Sequence, residues 1–307
     1  MTGSDTRLDT RRTRLGIAAI AGAAALWALA AVVASSLFAR GIEPVELAEA
    51  RSFVALAALA LIPAARRRPS GTPARARVVA LGVAITLVNA SYYVAIDRLP
   101  VAVALVLQYT APVGVVVWSA LIGRRAVGMR VVTALAASLA GVALVSEVAS
   151  AGASQIDPVG IAAGLGSAVA FGTYTVLSEG TAAAYGPTGA LARGFVVASL
   201  LWVAYQAPHG WPAELLDPSN LVPIGYVGIA GTLAPFLLFI WGVQRVAPAR
   251  AAIAATLEPV LAGVAGWVWL GQNLTGLQLA GGALVVGAVL SLQVRPNPTP
   301  RSSPPTG

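Results

Sequence analysis

The 307-residue sequence contains no cysteine, no lysine and one histidine, and only 10% of its residues are charged. Without cysteine there are no disulfides, no thiol nucleophile and no thiolate metal site. His209 stands alone in a Pro-containing loop, so no imidazole cluster can form, and no metal or cofactor is expected. Without lysine there is no phosphate loop of the G-x-x-x-x-G-K-[ST] form, which excludes direct ATP driving by this chain. The scarcity of charge is the most restrictive absence. Soluble domains carry about 25% charged residues, and this chain cannot cover a water-facing surface. Its net charge of +8 derives from 20 arginines, most of them in short breaks between apolar runs. That pattern reflects membrane topology and not a phosphate-reading face, so no nucleic-acid partner is expected.

Apolar residues are abundant: 57% of the chain, with a mean hydropathy of +0.79. Runs of about 20 apolar residues recur, the length a bilayer demands. Their backbone polar groups must be satisfied internally, and the period-2 alternation of barrel strands is absent, so they are expected as helices. The expected spans cover 15–39, 45–65, 78–96, 99–122 and 130–149, then 157–179, 187–207, 221–243, 247–270 and 275–294. The expected fold is an all-α membrane protein of ten transmembrane helices, arranged as two inverted-topology repeats of five helices at 15–149 and 157–294. Polar or Pro-rich tails, 1–14 and 295–307, are expected to be disordered and cytoplasmic. The run after Arg7, Arg11, Arg12 and Arg14 has the order of a signal peptide. It exceeds the length of a signal core and nine more spans follow, so it reads as a retained signal-anchor helix.

Arginine placement sets the expected orientation. With the N-terminus inside, 17 arginines fall on the cytoplasmic side and three, Arg40, Arg51 and Arg98, on the other. An even span count then places both termini in the cytoplasm of an inner-membrane protein.

Two internal matches support the repeat. Ala48-Glu-Ala-Arg-Ser-Phe-Val54 agrees with Ala190-Leu-Ala-Arg-Gly-Phe-Val196 at five of seven positions. Arg98, Ala102, Ala104, Pro112 and Val113 match Arg245, Ala249, Ala251, Pro259 and Val260 at a constant offset. A repeat unit with an odd number of spans must recur upside down, an arrangement that supplies two related conformations for alternating access.

Further motifs run from Gly231-Thr-Leu-Ala-Pro-Phe through Trp241-Gly-Val-Gln-Arg-Val-Ala-Pro-Ala-Arg250 and Ala255-Thr-Leu-Glu-Pro-Val260 to Leu270-Gly271 and Gln278-Leu-Ala-Gly-Gly282. Together with Arg51 and Arg193, which open the second span of each half, they resemble EamA-type transporters of the drug/metabolite transporter superfamily. The resemblance extends from Leu15 to Val294. Gln272 and Arg124 depart from it, standing where the family usually carries Glu. It implies secondary-active export of small metabolites, often amino acids, driven by a proton or substrate gradient.

Glu258 is the expected centre of the chemistry. It lies near the middle of its expected span, where a carboxylate costs about 3 kcal/mol on insertion scales. Such a group is a candidate for proton coupling or for holding a substrate ammonium. The competing reading is a structural pairing with an arginine or with backbone near Pro259. Pro112 and Pro259 interrupt matching spans and free the carbonyls of Gln108 and Ala255; Pro235 adds a third break. Around these breaks, substrate contact is expected from Trp27, Asn89, Tyr92 and Tyr93 on the first and third spans. Gln108 and Tyr109 precede Pro112, and Phe171 and Tyr174 form a stripe on the sixth span with Ser167 and Ser178. Trp241 is a candidate for the site or, like Trp267 and Trp269, an interfacial anchor. Arg51 and Arg193 are expected to be structural, Arg51 through an ion pair with Asp97 or Glu49 near the outer face. Gly160 and Gly164 are expected in close helix packing, with a dimer seam as the alternative.

The expected partners are the lipid bilayer and a small-molecule substrate, with the chain a monomer or homodimer. The leading expectation is a secondary-active exporter of a small metabolite such as an amino acid. Facilitated transport or exchange of another solute or drug is the alternative within transport. A membrane-embedded lipid-linked transferase is the alternative outside it. That chemistry needs several deep carboxylates around a metal–diphosphate, and of the 12 acidic residues Glu258 alone is expected deep.

Overall fold

The computed structural model describes residues 3–66, 68–69, 75–99, 101–147, 157–270 and 273–293. Within them the chain is all-helical. The helices are α1 (Gly3–Phe38), α2 (Pro44–Ala60), α3 (Arg75–Arg98), α4 (Val101–Gln108), α5 (Ala111–Leu121) and α6 (Met129–Val145). They continue as α7 (Pro158–His209), α8 (Pro218–Gly228), α9 (Ala234–Val243), α10 (Pro248–Ala255), α11 (Leu257–Leu270) and α12 (Gly276–Ser291). Single 3-10 turns lie at Pro63–Arg66 and Ala213–Leu216, and a π turn, Ile229–Leu233, joins α8 to α9. The tail 295–307, Gly271 and Gln272 lie outside the described residues, as do the side chains of Ser35 and Trp269.

Among the described residues, five helical segments are long and apolar enough to cross a membrane: Arg11–Phe38, Arg75–Arg98, Val103–Leu121, Pro158–His209 and Pro218–Val243. The expected count was ten. The difference has local causes. At 52 residues, α7 would measure about 78 Å as a straight helix. It is instead two arms meeting at Gly186 (φ 73°, ψ 165°), a conformation that suits a residue without a side chain, and Pro187 opens the second arm. Proline breaks divide other runs, and α2, α6 and α12 have only 17, 17 and 16 residues.

The N-terminal segment also differs from expectation. It was expected to be disordered, but α1 is helical from Gly3. Once a long helix is nucleated, each added turn costs little, and the Arg12 guanidinium donates to the Gln244 carbonyl at 3.1 Å. Helix starts follow local chemistry. Asp157 caps α7 by accepting the Val159 N–H at 2.8 Å and also pairs with Arg98 at 3.1 Å. These two contacts hold the exposed Asp157 carboxyl below its ordinary value. Thr275 and Gln278 cap α12 reciprocally.

Small residues decide how closely the helices approach. A Cβ on Gly82 of α3 would lie 2.4 Å from Val197 Cβ and 2.7 Å from the Gly194 carbonyl of α7. Gly160 and Gly164 do the same work within the chain, against Leu99 and Leu107, and α6 meets α12 where a Cβ on Gly141 would lie 2.7 Å from the Gly281 carbonyl. Gly82→Ala is expected to force α3 away from α7 at a cost of about 2 kcal/mol. Thermal unfolding in detergent would show this as a lowered midpoint, whereas an unchanged midpoint would mean that the crossing is looser than these distances.

Candidate functional site

The two prolines expected to break matching spans sit at real discontinuities. α4 stops at Gln108, Tyr109 and Thr110 form a turn, and α5 begins at Ala111 with Pro112 in its first turn. In the other half α10 stops at Ala255, Thr256 turns, and α11 begins at Leu257 with Pro259 close behind. A proline has no N–H for the carbonyl four residues back, so a continuous helix would leave a polar group unpaired in an apolar medium. A threonine lies at each break. The Thr110 hydroxyl donates to Leu107 O at 2.7 Å and the Thr256 hydroxyl to Ile253 O at 2.6 Å.

Glu258 lies in the first turn of α11, where the helix N-terminus favours negative charge. Its Oε2 accepts the Tyr109 hydroxyl at 2.6 Å, so the carboxylate of one break is held by the tyrosine of the other. The position equivalent to Glu258 in the first half is Ala111, and the carboxylate therefore has no symmetry mate.

The third proline explains a contact that sequence periodicity missed. Pro235 removes the N–H that would bond to Gly231, and the π turn before it leaves the Gly231 carbonyl open. Arg51 of α2 fills that vacancy. Its Nη2 donates to Gly231 O at 2.7 Å, Nη1 to the Tyr93 hydroxyl at 2.6 Å and Nε to the Thr232 hydroxyl at 2.6 Å. Thr232 in turn donates to Val227 O at 2.8 Å. Arg51 is 7% exposed and bonds to neutral groups, not to Asp97 or Glu49, which corrects the expected outer-face ion pair. Three of its five N–H groups are used, leaving donor capacity at the cavity it lines.

That cavity, about 100 Å³, lies where these elements meet. Eight of the ten side chains proposed for substrate contact line it. They are Trp27 of α1, Asn89, Tyr92 and Tyr93 of α3, Gln108 and Tyr109 at the first break, Phe171 of α7, and Glu258. Arg51, Phe236 and the backbone at Gly231 line it as well, among small apolar side chains of α1 and α3. Trp27 meets its repeat counterpart Phe171 edge-on, with ring centroids 6.1 Å apart, and Phe236 at 5.6 Å, making one wall aromatic. Asn89 spends its Nδ2 on Ile85 O at 2.7 Å.

Two proposed residues lie elsewhere. Tyr174 is fully buried in the aromatic core behind that wall, 5.1 Å from Phe236 and 5.5 Å from Phe239. Trp241 lies at the end of α9 with the Arg245 guanidinium stacked over its ring. Arg193, the repeat mate of Arg51, takes a different task. It stacks on Tyr185 and donates to Gly189 O and to Ala65 O, the latter in the 3-10 turn after α2. The equivalent arginines have diverged.

An apolar helical chain with broken helices around a small central polar cavity is the architecture of a membrane transporter. The sequence profile of the EamA-like transporter family matches residues 14–147 and again 158–293, and the chain belongs to that family. It is a multi-pass membrane transporter of a small molecule and not an enzyme. It is 32% identical over 228 residues to an uncharacterized transporter of Archaeoglobus fulgidus, covering 73% of this chain and 78% of that protein. It is 29% identical over 212 residues to the threonine/homoserine exporter RhtA of Escherichia coli K12, covering 68% and 67%. A solved crystal structure superposes with a TM-score of 0.72 at 21% identity, covering 92% of this chain and 96% of the other; this likeness shows the fold alone.

Proposed function

We propose that this protein exports a small zwitterionic metabolite, such as an amino acid, by alternating access, and exchanges it for a proton at Glu258. One observation carries the reading. Arg51, from the first half, and Glu258, from the second, line the same cavity, yet they do not pair directly: the ion pairs within 4.0 Å among the described residues are Arg98–Asp157 and Arg125–Glu179. A guanidinium with spare donors and a carboxylate anchored by Tyr109 can take the two charged ends of one amino acid. Asn89, Tyr92 and Gln108 line the space between, and Trp27 and Phe171 offer an apolar face to the side chain.

The topology in this reading has ten crossings. They are α1, α2, α3, the broken pair α4–α5, α6, the two arms of α7, the run α8–α9, the broken pair α10–α11, and α12. At 16 or 17 residues, α2, α6 and α12 sit at the short end of the range for spans. The halves are inverted with respect to one another, and the arginine bias places both termini in the cytoplasm. A cavity of about 100 Å³ holds only about three waters. Ligand sites run to several hundred Å³, so this conformation is contracted around its site and loading requires helix movement.

Threonine is the first probe, on the likeness to the threonine/homoserine exporter. Counterflow of labelled threonine in proteoliposomes should be inhibited by unlabelled threonine at least tenfold more effectively than by 1-amino-2-propanol, which lacks the carboxylate, or by 3-hydroxybutyrate, which lacks the ammonium. Equal inhibition by all three would rule out recognition of both charged ends.

A further inference from the structure

A second carboxylate is buried away from this cavity. Glu49 of α2 is 1% exposed, and its Oε2 accepts no hydrogen bond from any described residue. Across the interface, on the second arm of α7, the Ser199 hydroxyl and the Trp202 indole N–H are also buried and unpartnered. Trp202 packs in the same cluster as Leu47, Ala48 and Ala50, which flank Glu49. An unused indole donor and an unused carboxylate acceptor therefore lie on helices that pack into one cluster. A buried carboxylate with neither cation nor donor is among the costliest groups a protein can carry, so it is accommodated as the neutral acid.

An acidic ladder leads to it. Exposed Glu43, half-buried Glu46 and buried Glu49 are spaced three residues apart along the start of α2. Glu46 accepts the Glu43 N–H at 3.1 Å and is the carboxylate that acts electrostatically on Glu49. Several titratable groups stand on the elements packed on α2. Glu214 in the 3-10 turn before α8 acts on Glu46; α3 carries Arg75, Arg77, Tyr92, Tyr93, Asp97 and Arg98, the second arm of α7 carries Arg193, Tyr205 and His209, α8 carries Tyr226, and the 3-10 turn after α2 carries Arg66. Arg51, two residues on, is committed to Thr232, Tyr93 and Gly231.

We propose that Glu49 is a second proton-binding site of the transport cycle, loaded from the outer aqueous face by way of Glu43 and Glu46. A proton from the outer aqueous face binds the Glu49 carboxylate when the outer end of α2 is wetted, and leaves for cytoplasmic water once the protein has opened to that side. This inference rests on the exchange reading above, so the test must separate the two. Threonine accumulation driven by an imposed pH gradient, and threonine counterflow without a gradient, are measured in proteoliposomes for wild type, Glu49→Gln, Glu49→Asp and Glu258→Gln. The expected result is that Glu49→Gln loses at least fivefold of the gradient-driven accumulation, keeps counterflow at wild-type affinity, and is partly rescued by Asp. Wild-type accumulation in Glu49→Gln, with Glu258→Gln deficient, overturns the role of Glu49 alone. Accumulation indifferent to the pH gradient in wild type overturns both readings. Loss of counterflow as well as accumulation in Glu49→Gln, with normal thermal stability in detergent, overturns the inference by giving Glu49 a part in substrate handling. The same loss with lowered stability overturns it in favour of a structural group.

Discussion

Glu258→Gln is expected to abolish accumulation driven by a pH gradient while leaving counterflow exchange measurable. One proton exchanged per substrate across one pH unit supplies about 1.4 kcal/mol, enough for tenfold accumulation; in the variant the ratio should fall to one. Glutamine is nearly isosteric with glutamate, and its amide oxygen can still accept the Tyr109 hydroxyl that now bonds Oε2 at 2.6 Å. The junction between the two helix breaks should therefore survive, so a lost drive is not a lost fold. What glutamine cannot do is alternate between a proton and an ammonium as its partner. Unchanged accumulation would remove proton coupling from Glu258. Complete loss of counterflow, beyond the weakened affinity that removal of the ammonium's partner implies, would leave Glu258 a binding or structural group with no demonstrated part in proton coupling.

The second large effect is expected at Arg51. Truncation to alanine removes the proposed carboxylate anchor and the donor to three acceptors: the Thr232 hydroxyl, the Tyr93 hydroxyl and the Gly231 carbonyl. For the last, Pro235 supplies no N–H four residues on to replace the guanidinium. Losing a charge-assisted contact costs about 3 kcal/mol, so the apparent affinity for threonine in counterflow should fall about 100-fold. Inhibition by 1-amino-2-propanol, which has no carboxylate, should change much less. Arg51→Lys should recover part of the loss, since an ammonium keeps the charge but cannot reach all three acceptors in a planar fork. If the carboxylate-free amine weakens in parallel with threonine, Arg51 holds the π turn in place and does not read the substrate.

Legibility varied from element to element for physical reasons. The breaks at Pro112 and Pro259 could be read from single residues, because a missing N–H acts on the carbonyl four positions back whatever the surroundings. The same rule applied to Pro235 names Gly231, but the sequence does not say that an arginine 180 positions earlier would claim its carbonyl. Tyr174 shares a helical stripe with Phe171, yet one lines the cavity and the other packs behind it. Periodicity assigns a face to a residue and is silent on which neighbour covers that face. Glu49 reads from sequence as an outer-face ion-pair partner of Arg51 for a related reason: it lies within two turns of a helix start, a place that normally reads as the wet end of a span, and only the packing leaves it 1% exposed.

The sequence by itself determined that this protein lives in a membrane, that it is helical, that it has no thiol, and that its chain repeats. These follow from composition and from local rules: span length, backbone hydrogen-bond satisfaction, proline geometry. Only the tertiary structure decided which charged groups face one another. Arg51 and Arg193 occupy the same place in the repeat, but one reaches a carbonyl freed by Pro235 and lines the cavity, while the other stacks on Tyr185 far from it. Electrostatic partnership depends on distance through space, and the same local sequence in the two halves meets different neighbours.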